Sequence, residues 1–408
     1  MNQRKASIPI LFASLVIVML GFGIVIPLMP FYITHFNASG SELGLVMSLY
    51  SIMQFIFAPI WGRIADRIGR KPVLLIGAGG FVISFILQGL AQDLTQFIVF
   101  RTLAGVLSSA TLPAAMAYIA DTTSDQDRSK GMGLMGAGMG LGMVIGPSLG
   151  GILTKITLPF GPEFTRLLQT TTDPSTGAAL NLSIPFFAAA LLALLSMPLV
   201  QFFLPESLTA EKRREHLQET SAAPTSSLSA VFQAVRGPIG FLYLMAFVMS
   251  FALTNMEAVL ALYGKQQFSM GPSDVGFLMG GMGLMTILQQ GVMIGPLTRK
   301  FGEVRVIQAG LGISTVGFVA LAVAPVAGLY IAAALLFNAG SVLLQPSVSA
   351  LISRRARGGQ GTAMGVNNSF QSLGRAFGPL YAGTAFDIYP TLSFWSGALI
   401  QAVVLVYS

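Results

Sequence analysis

One carboxylate lies deep within a long apolar stretch of the sequence, in the segment Phe251-Ala-Leu-Thr-Asn255-Met-Glu257. An unpaired charge in hydrocarbon costs roughly 3 kcal/mol, so such a residue normally faces a cavity or a partner. Apolar surroundings disfavour the charged form of a carboxyl group, which would let Glu257 bind and release a proton. When ionised it would also attract a cationic ligand. Glu257 is therefore the main candidate for proton coupling. The alternative is a structural carboxylate, paired with Arg375 or hydrogen-bonded to Asn255.

Two arginines, Arg101 and Arg375, also lie inside apolar stretches. Arg101 would either stabilise a carboxylate of a proton relay or hold helix geometry. Arg375 would either offset the charge of Glu257 or bind an anionic group of a ligand. Asn367 and Gln371 are four residues apart and would share one face of a helix. The candidates for a ligand cavity are Glu257 and Arg375 together with the amide and aromatic residues Asn255, Phe251, Gln371, Asn367, Gln345, Asn338, Gln54 and Tyr32.

Several other chemistries are excluded by residue types. The sequence has no cysteine and only two histidines, His35 and His216, which argues against thiol, disulfide and metal sites. The pair Gly138-x-Gly140 lacks the preceding strand of a nucleotide-binding loop. We therefore expect neither an enzyme nor ATP-driven transport, and no cofactor or metal. The net charge of +7 does not indicate a nucleic-acid partner, because the basic residues fall between apolar runs.

The elements that must position these groups are membrane-spanning helices. The chain is 53% hydrophobic and only 10% charged, whereas soluble domains are about a quarter charged. Many apolar stretches pass the roughly 18 residues that a spanning helix needs. The sequence thus predicts an all-α polytopic membrane protein. Its twelve spans are predicted at about 8–33, 43–62, 73–92, 96–120, 131–154, 183–204, 238–263, 274–296, 304–324, 328–352, 361–386 and 390–408.

The distribution of basic residues predicts the orientation. With the N-terminus in the cytoplasm, 18 lysines and arginines fall in cytoplasmic segments and only Lys155, Arg166 and Lys265 fall outside. Cytoplasmic loops carry such an excess of basic residues. We expect a multi-pass protein of the inner (cytoplasmic) membrane with a cytoplasmic N-terminus, working as a monomer.

The sequence repeats itself at an offset of 232–233 residues. Gly142, Gly146-Pro147 and Gly150 match Gly374, Gly378-Pro379 and Ala382. The segment at 62–69 matches that at 295–302, and Pro113 matches Pro346. We therefore predict two related six-helix bundles, residues 1–204 and 237–408, joined by a cytoplasmic linker at 205–236. Residues 155–182 are predicted to be an external surface excursion.

The loop after the second predicted span carries a specific pattern of glycines, one acid and basic residues: Gly62, Asp66, Arg67, Gly69, Arg70 and Lys71. It resembles the cytoplasmic signature loop of the major facilitator superfamily. The resemblance implies that this loop latches the two bundles together in the outward-open state. The alternative is simply a basic cytoplasmic loop, but Asp66 sits inside the basic run at the spacing of the family.

The fifth predicted span carries small residues at helical spacing, Gly142, Gly146, Pro147, Gly150 and Gly151. This pattern resembles the motif that marks antiporters within the superfamily, although a generic packing face would also use small residues. Leu20-Gly21 with Pro27-Leu-Met-Pro30 resembles the signature of twelve-helix drug:proton antiporters. Arg101 matches their fourth-helix arginine, which is linked to proton transfer.

The resemblance covers the whole chain and is closest to bacterial multidrug and tetracycline exporters. It implies alternating access, a small lipophilic or cationic drug as substrate, and the proton gradient as the driving force. A transporter of a specific metabolite (a sugar, an amino acid or an organic anion) or of a lipid remains the alternative. The first and tenth spans lack the acids that some of these exporters carry. A single-carboxylate exchanger therefore fits better than a two-carboxylate mechanism.

Overall fold

The computed structural model describes residues 2–123, 125–156, 168–172, 179–208, 236–237, 239–355 and 360–408. Twelve helices account for nearly all of this described part of the chain. They are α1 (Ile8–His35), α2 (Gly40–Ile68), α3 (Arg70–Gly89), α4 (Leu94–Thr122), α5 (Asp125–Leu153), α6 (Ile184–Phe203), α7 (Gly240–Phe268), α8 (Pro272–Phe301), α9 (Glu303–Val323), α10 (Ala327–Arg355), α11 (Gln360–Ile388) and α12 (Leu392–Tyr407).

Ten of these helices are long and apolar enough to cross a membrane. The eleventh, α11, is 29 residues long but carries polar residues along its length, and α12 is shorter, with 16 residues. The predicted spans agree with the observed helices in number and order. Their ends differ by a few residues, because apolar length fixes a span better than it fixes the point where a helix stops.

Breaks within the helices fall at prolines and at polar turns. In α1 a 3₁₀ turn at Ile26–Leu28 contains Pro27, and the short segment Met29–His35 that ends the helix has Pro30 in its first turn. In α4 a break follows Ser108, and the helix resumes at Thr111. A π-helical segment at Leu199–Phe203 ends α6, and another at Gln289–Met293 interrupts α8. Such irregularities concentrate at functional sites.

The described residues form two compact units. One unit contains the described residues of 1–36, 52–223 and 271–280, and the other those of 37–51, 224–270 and 281–408. The first part of α2 thus groups with the second unit, and the first part of α8 groups with the first. Most of the predicted linker at 205–236 lies outside the described residues, so the domain boundaries stay a prediction.

The region predicted to be an external excursion contains a small hairpin. Strand β1 (Thr170–Thr172) pairs antiparallel with β2 (Ala179–Asn181), with Thr171 opposite Leu180. Threonine favours extended backbone because its Cβ is branched. The buried side chain of Asn181 accepts hydrogen bonds from the backbone of Ser183 and Ile184 at the start of α6. The hairpin is therefore fixed directly to a membrane helix.

Glycine contacts set the closest helix packing within each unit. A side chain at Gly142 or Gly146 of α5 would collide with the backbone of α1 near Met19 and Gly23. A side chain at Gly374 of α11 would likewise collide with the backbone of α7. The two pairs, α1 with α5 and α7 with α11, are related by the sequence repeat. Small residues allow helix backbones to approach closely in membranes.

Candidate substrate and coupling site

The packing of α11 against α7 positions the charged residues near the middle of both helices. An added Cβ at Gly374 would lie 2.8 Å from the backbone nitrogen of Phe251, and one at Gly378 would lie 3.2 Å from that of Asn255. The hydroxyl of Thr254 donates to the carbonyl of Gly374 at 3.4 Å. Arg375 follows Gly374 directly, and Glu257 lies three residues after Thr254, so the glycines bring the two charged side chains into one region.

Glu257 and Arg375 attract each other electrostatically without forming a direct ion pair. The Glu257 side chain is partly exposed and the Arg375 side chain is exposed. One guanidinium nitrogen of Arg375 donates to the hydroxyl of Ser372 at 2.9 Å, one helical turn away. Each charged group therefore feels the charge of the other without a direct contact between them.

Aromatic rings of α7 and α11 pack against one another near the contact between Gly374 and Phe251. Phe251 stacks on Phe247, with ring centroids 5.9 Å apart. It also contacts Tyr381 of α11, with centroids 5.4 Å apart. Phe251 and Phe247 are partly exposed. Such faces suit a lipophilic ligand, and they also attract cations through the ring quadrupole.

Three predicted asparagines are buried and engaged in helix contacts. The amide nitrogen of Asn255 donates to the carbonyl of Ser393 at 3.0 Å, so it does not bond to Glu257. Asn338 donates to the carbonyl of Met282 at 2.9 Å. Asn367 donates to the hydroxyl of Ser349 at 3.4 Å. All three are at most 5% exposed, so the structure places them in helix packing rather than at an open surface.

Two glutamines face a cavity in the second unit. The amide nitrogen of Gln345 donates to the amide oxygen of Gln371 at 2.7 Å. The cavity is lined by α7, α10 and α11, and its walls include Ser250, Leu253 and Ser341. Gln345 is exposed, whereas Gln371 is 6% exposed. The pair offers hydrogen bonds to a ligand in this cavity, whose lining includes Leu253, four residues before Glu257 on α7.

The other predicted site residues lie in the first unit. Arg101 is 4% exposed, and its guanidinium lies 5.9 Å from the ring centroid of Phe22 in α1. Tyr32 is fully buried, and its ring lies 4.9 Å from that of Phe97. Gln54 is partly buried. The structure therefore does not place Tyr32 on an open surface, and it locates Arg101 in the packing between α4 and α1.

The loop at 62–71 forms an ion-pair network. Arg70 is 3% exposed and donates both to Asp66, four residues earlier, and to Asp121 of α4 at 3.0 Å. The carboxylate of Glu206 accepts from the backbone nitrogens of Arg70 and Lys71. Gly69 adopts φ 110°, which only glycine reaches without strain. Arg67 is exposed and Gly62 partly exposed, and both lie at the end of α2.

The weaker copy of this loop forms a simpler contact. Gly302 adopts φ 80° between α8 and α9. Glu303 accepts from a guanidinium nitrogen of Arg354 at 2.8 Å. The Arg354 side chain is 71% exposed.

The motif of α5 contacts two different helices. Gly142, Gly146 and Gly150 face α1, as an added Cβ on each would meet the backbone of residues 19–24. Gly151 instead faces the start of α8, where the hydroxyl of Ser273 donates to its carbonyl at 2.9 Å. Pro147 also faces α8, because an added Cβ at Gly276 would collide with its carbonyl. The motif is thus a packing surface along its whole length.

Sequence reasoning missed several partners in these sites. Glu206 caps the loop network from the segment after α6, and Ser372 orients Arg375. Tyr381 completes the aromatic face beside Phe251. Helical spacing offered a signal for Ser372, which lies three residues before Arg375, but nothing local marks a carboxylate 136 residues from the arginine whose backbone it binds.

The chain resembles known proteins over nearly its whole length. A family model described as Major Facilitator Superfamily matches residues 11–379. Multidrug resistance protein 2 of Bacillus subtilis (strain 168) is 31% identical over 396 residues, covering 96% of this chain and 92% of that protein. The class C tetracycline resistance protein of Escherichia coli is 30% identical over 403 residues, covering 97% and 93%. A solved bacterial homolog of the human lysosomal transporter Spinster, inward-facing and occupied, overlays with a TM-score of 0.75 at 14% identity, covering 100% and 96%.

Proposed function

We propose that this chain, which belongs to the Major Facilitator Superfamily, is a proton-coupled antiporter that exports small lipophilic or cationic drugs by alternating access. It is a membrane transport protein and not an enzyme. The names of relatives at 30–31% identity, which refer to multidrug and tetracycline resistance, support the drug class. We expect a monomer driven by the proton gradient without a cofactor.

The observation that carries the proposal is the carboxylate of Glu257, which lies near the middle of α7 and close enough to Arg375 to feel its charge. The residue is partly exposed, follows Phe251 by six positions on α7, and has Arg375 as an electrostatic partner with no direct ion pair between them. A membrane-embedded acid in such a position normally serves ion or substrate movement. Glu257 is thus available both to a proton and to a cationic ligand.

Competition for this one carboxylate would couple the two movements. A bound proton neutralises Glu257, which removes the attraction for a cationic ligand and leaves the positive charge of Arg375 to repel it. Release of the proton restores the attraction. Because the proton and the drug exclude each other, the site would hold one or the other each time it is exposed to the opposite side of the membrane. The result is an exchange of drug for proton.

The repeat supports a mechanism built on few groups. The counterpart of Glu257, 232 residues earlier, is Val25, and the counterpart of Arg375 is Met143. The scaffold is therefore duplicated, whereas the charged pair is present only in the second copy. We further propose that the N-terminus is cytoplasmic in the inner membrane, so that exchange with entering protons drives export.

Proteoliposomes test this proposal with tetraphenylphosphonium as the lipophilic cation. We expect an imposed proton gradient to drive its accumulation, and Glu257→Gln to abolish gradient-driven accumulation. The variant should also exchange labelled for unlabelled cation poorly at equal concentrations, because glutamine is neutral like the protonated glutamate and does not attract the cation. Glu303→Gln, which removes a carboxylate at the start of α9, is the matched control and should retain both activities. Normal gradient-driven transport by Glu257→Gln would refute the coupling role.

The exposure of Arg375 favours a second candidate, transport of an organic anion. In that case protonation of Glu257 would strengthen anion binding, because the guanidinium would lose its competing carboxylate. Proton and anion would then bind together rather than exclude each other. The two hypotheses predict opposite effects of protonation on ligand affinity. Protonation of Glu257 would release a cation but would promote binding of an anion such as a lipophilic carboxylate.

A further inference from the structure

The carboxylate of Asp387, at the end of α11, binds the N-terminus of α2. One oxygen accepts from the backbone nitrogen of Gly40 at 2.7 Å, and the other accepts from that of Ser41 at 2.8 Å. The first nitrogens of a helix have no partner within the helix, and the helix dipole favours a negative charge there. Hydrogen bonds to an ionised group are about twice as strong as neutral ones. Asp387 therefore ties together two helix ends that are 347 residues apart.

The backbones of the two helices touch at this end. An added Cβ at Gly383 would collide with the carbonyl of Gly40, and one at Gly44 would collide with the carbonyl of Pro379. This end of α2 lies opposite the loop at 62–71, since the helix runs from Gly40 to Ile68. We call this end the distal end. Two main-chain contacts and a carboxylate therefore close α2 against α11 there.

The sequence repeat supplies an internal comparison for this contact. An added Cβ at Gly276 of α8 would collide with the carbonyl of Pro147, and one at Gly151 of α5 would lie 2.8 Å from the carbonyl of Pro272. These residues are the counterparts, at an offset of 232, of the glycines and prolines that join α2 and α11. Corresponding backbone positions are therefore in close contact in both copies of the repeat.

The two contacts differ at one position. The counterpart of Asp387 is Lys155, which is exposed, and a cation cannot accept hydrogen bonds from a helix N-terminus. The α5–α8 contact has instead a neutral hydrogen bond from the hydroxyl of Ser273 to the carbonyl of Gly151. The charged link is thus specific to α2 and α11.

Capping alone does not explain Asp387. Both α2 and α8 have an acid in their first turn that accepts from a backbone nitrogen three residues earlier. Glu42 of α2 accepts from Ser39, and Asp274 of α8 accepts from Gly271. These acids are also related by the offset of 232. The N-terminus of α8 is formed with its local acid and without a carboxylate from α5. The bonds made by Asp387 therefore add a link between helices rather than a missing cap.

From this comparison we propose that Asp387 is a gating residue. Its bonds to Gly40 and Ser41 hold α2 and α11 together at the distal end and must be released for the transporter to open at that end. The gating role rests on the alternating access proposed above, but it does not depend on the substrate or on Glu257. Loss of the carboxylate should shift the resting population toward a state open at the distal end.

Paired spin labels test this proposal in the full-length protein in lipid nanodiscs without substrate. The sequence has no cysteine, so Leu45→Cys and Tyr389→Cys introduce two unique labels on exposed distal residues of α2 and the segment after α11. In this background Asp387→Asn keeps the size of the side chain but replaces one acceptor with a donor. We expect it to raise the ratio of long to short distances about 5-fold or more, the lower end of typical conformational couplings.

Glu42→Gln is the matched control because it removes a carboxylate from the same helix end without touching α11. We expect it to leave the distance distribution unchanged. An unchanged distribution in Asp387→Asn, or an equal change in both variants, would overturn the proposal. If Asp387→Asn does not fold, Gly383→Ala provides the test, since its methyl group must push the carbonyl of Gly40 away.

The control for that second variant is Gly365→Ala on the same helix, where an added Cβ would meet nothing within 4 Å. We expect Gly383→Ala to lengthen the distances and Gly365→Ala to leave them unchanged. Label-to-label distances in Gly383→Ala that stay as short as those of the protein without this substitution would also overturn the proposal. Because no transport is measured, a failure here is distinct from a failure of proton coupling, which the Glu257→Gln assay detects.

Discussion

Arg70 and Asp121 form an ion pair whose counterpart in the second copy of the repeat has its two charges exchanged. The pair joins the first residue of α3 to the end of α4, at 3.0 Å. At an offset of 233 residues, Glu303 begins α9 and pairs with Arg354 near the end of α10. The repeat has therefore kept the contact while reversing its polarity.

The two ion pairs differ in how well their charges match the dipoles of the helices that carry them. An acid at a helix N-terminus and a base at a C-terminus are both favourable, which is the arrangement of Glu303 and Arg354. Arg70 and Asp121 have the opposite arrangement. Additional acids offset this in the first copy: Asp66 binds the Arg70 side chain, and Glu206 accepts from the first backbone nitrogens of α3. The first copy is thus a larger network that depends on several partners.

We predict that the two pairs contribute unequally to stability. Asp121→Asn leaves the guanidinium of Arg70 buried with one carboxylate fewer, and we expect a loss of about 3 kcal/mol, typical of a broken buried pair. Glu303→Gln breaks a pair in which Arg354 is 71% exposed, and we expect a loss below about 1 kcal/mol. Equilibrium unfolding in detergent micelles measures both. Equal losses would contradict the view that only the first pair is buried.

Helix positions could be predicted from the sequence because apolar length and the positions of basic residues constrain them strongly. The repeat also indicated which glycines would pack helices together, and Gly374 and Gly378 do contact α7. Contacts between distant segments could not be predicted in this way. Nothing near Asp387 in the sequence indicates that its carboxylate binds Gly40, because that contact depends on how α2 and α11 meet.

The sequence also did not indicate on which face of its helix a side chain lies. Tyr32 has a residue type that suits a drug cavity, yet its ring is enclosed by Phe97 and Phe186. Asn255 was considered as a partner for Glu257, but its amide bonds to α12 instead. In a helix that is apolar on most sides, periodicity does not distinguish the face that meets a cavity from the face that meets another helix.

We predict that Arg375 weakens the binding of cations. Arg375→Met removes an exposed positive charge that interacts with Glu257, and we expect the affinity for tetraphenylphosphonium to rise about 5-fold through lost repulsion. Calorimetric titration of the purified protein at alkaline pH measures this. Arg299→Met, which removes an exposed arginine at the end of α8, should leave the affinity unchanged. Loss of binding of a lipophilic carboxylate in Arg375→Met, with no gain for the cation, would favour the organic-anion reading.

We predict that the motif of α5 is intolerant of added volume at its α1-facing glycines. An added Cβ at Gly146 would lie 2.7 Å from the backbone of Gly23, whereas one at Gly140 would meet nothing within 4 Å. We expect Gly146→Ala to lower the free energy of unfolding by about 1–3 kcal/mol through overpacking. Gly140→Ala should be neutral or slightly stabilising, because alanine favours helix more than glycine does. A neutral Gly146→Ala would show that α1 and α5 can separate without loss.

We predict that the distal end of α2 faces the outside of the cell. The native chain has no cysteine, so a single introduced cysteine reports its own side of the membrane. In intact cells, a membrane-impermeant maleimide should label Tyr389→Cys, which lies just after α11 and is 61% exposed, but not Phe301→Cys, which ends α8 and is 45% exposed. Permeabilised cells should show labelling at both positions, confirming that each thiol is reactive. Because the basic residues cluster at the end of α8, the reverse pattern would place them outside and contradict the cytoplasmic N-terminus.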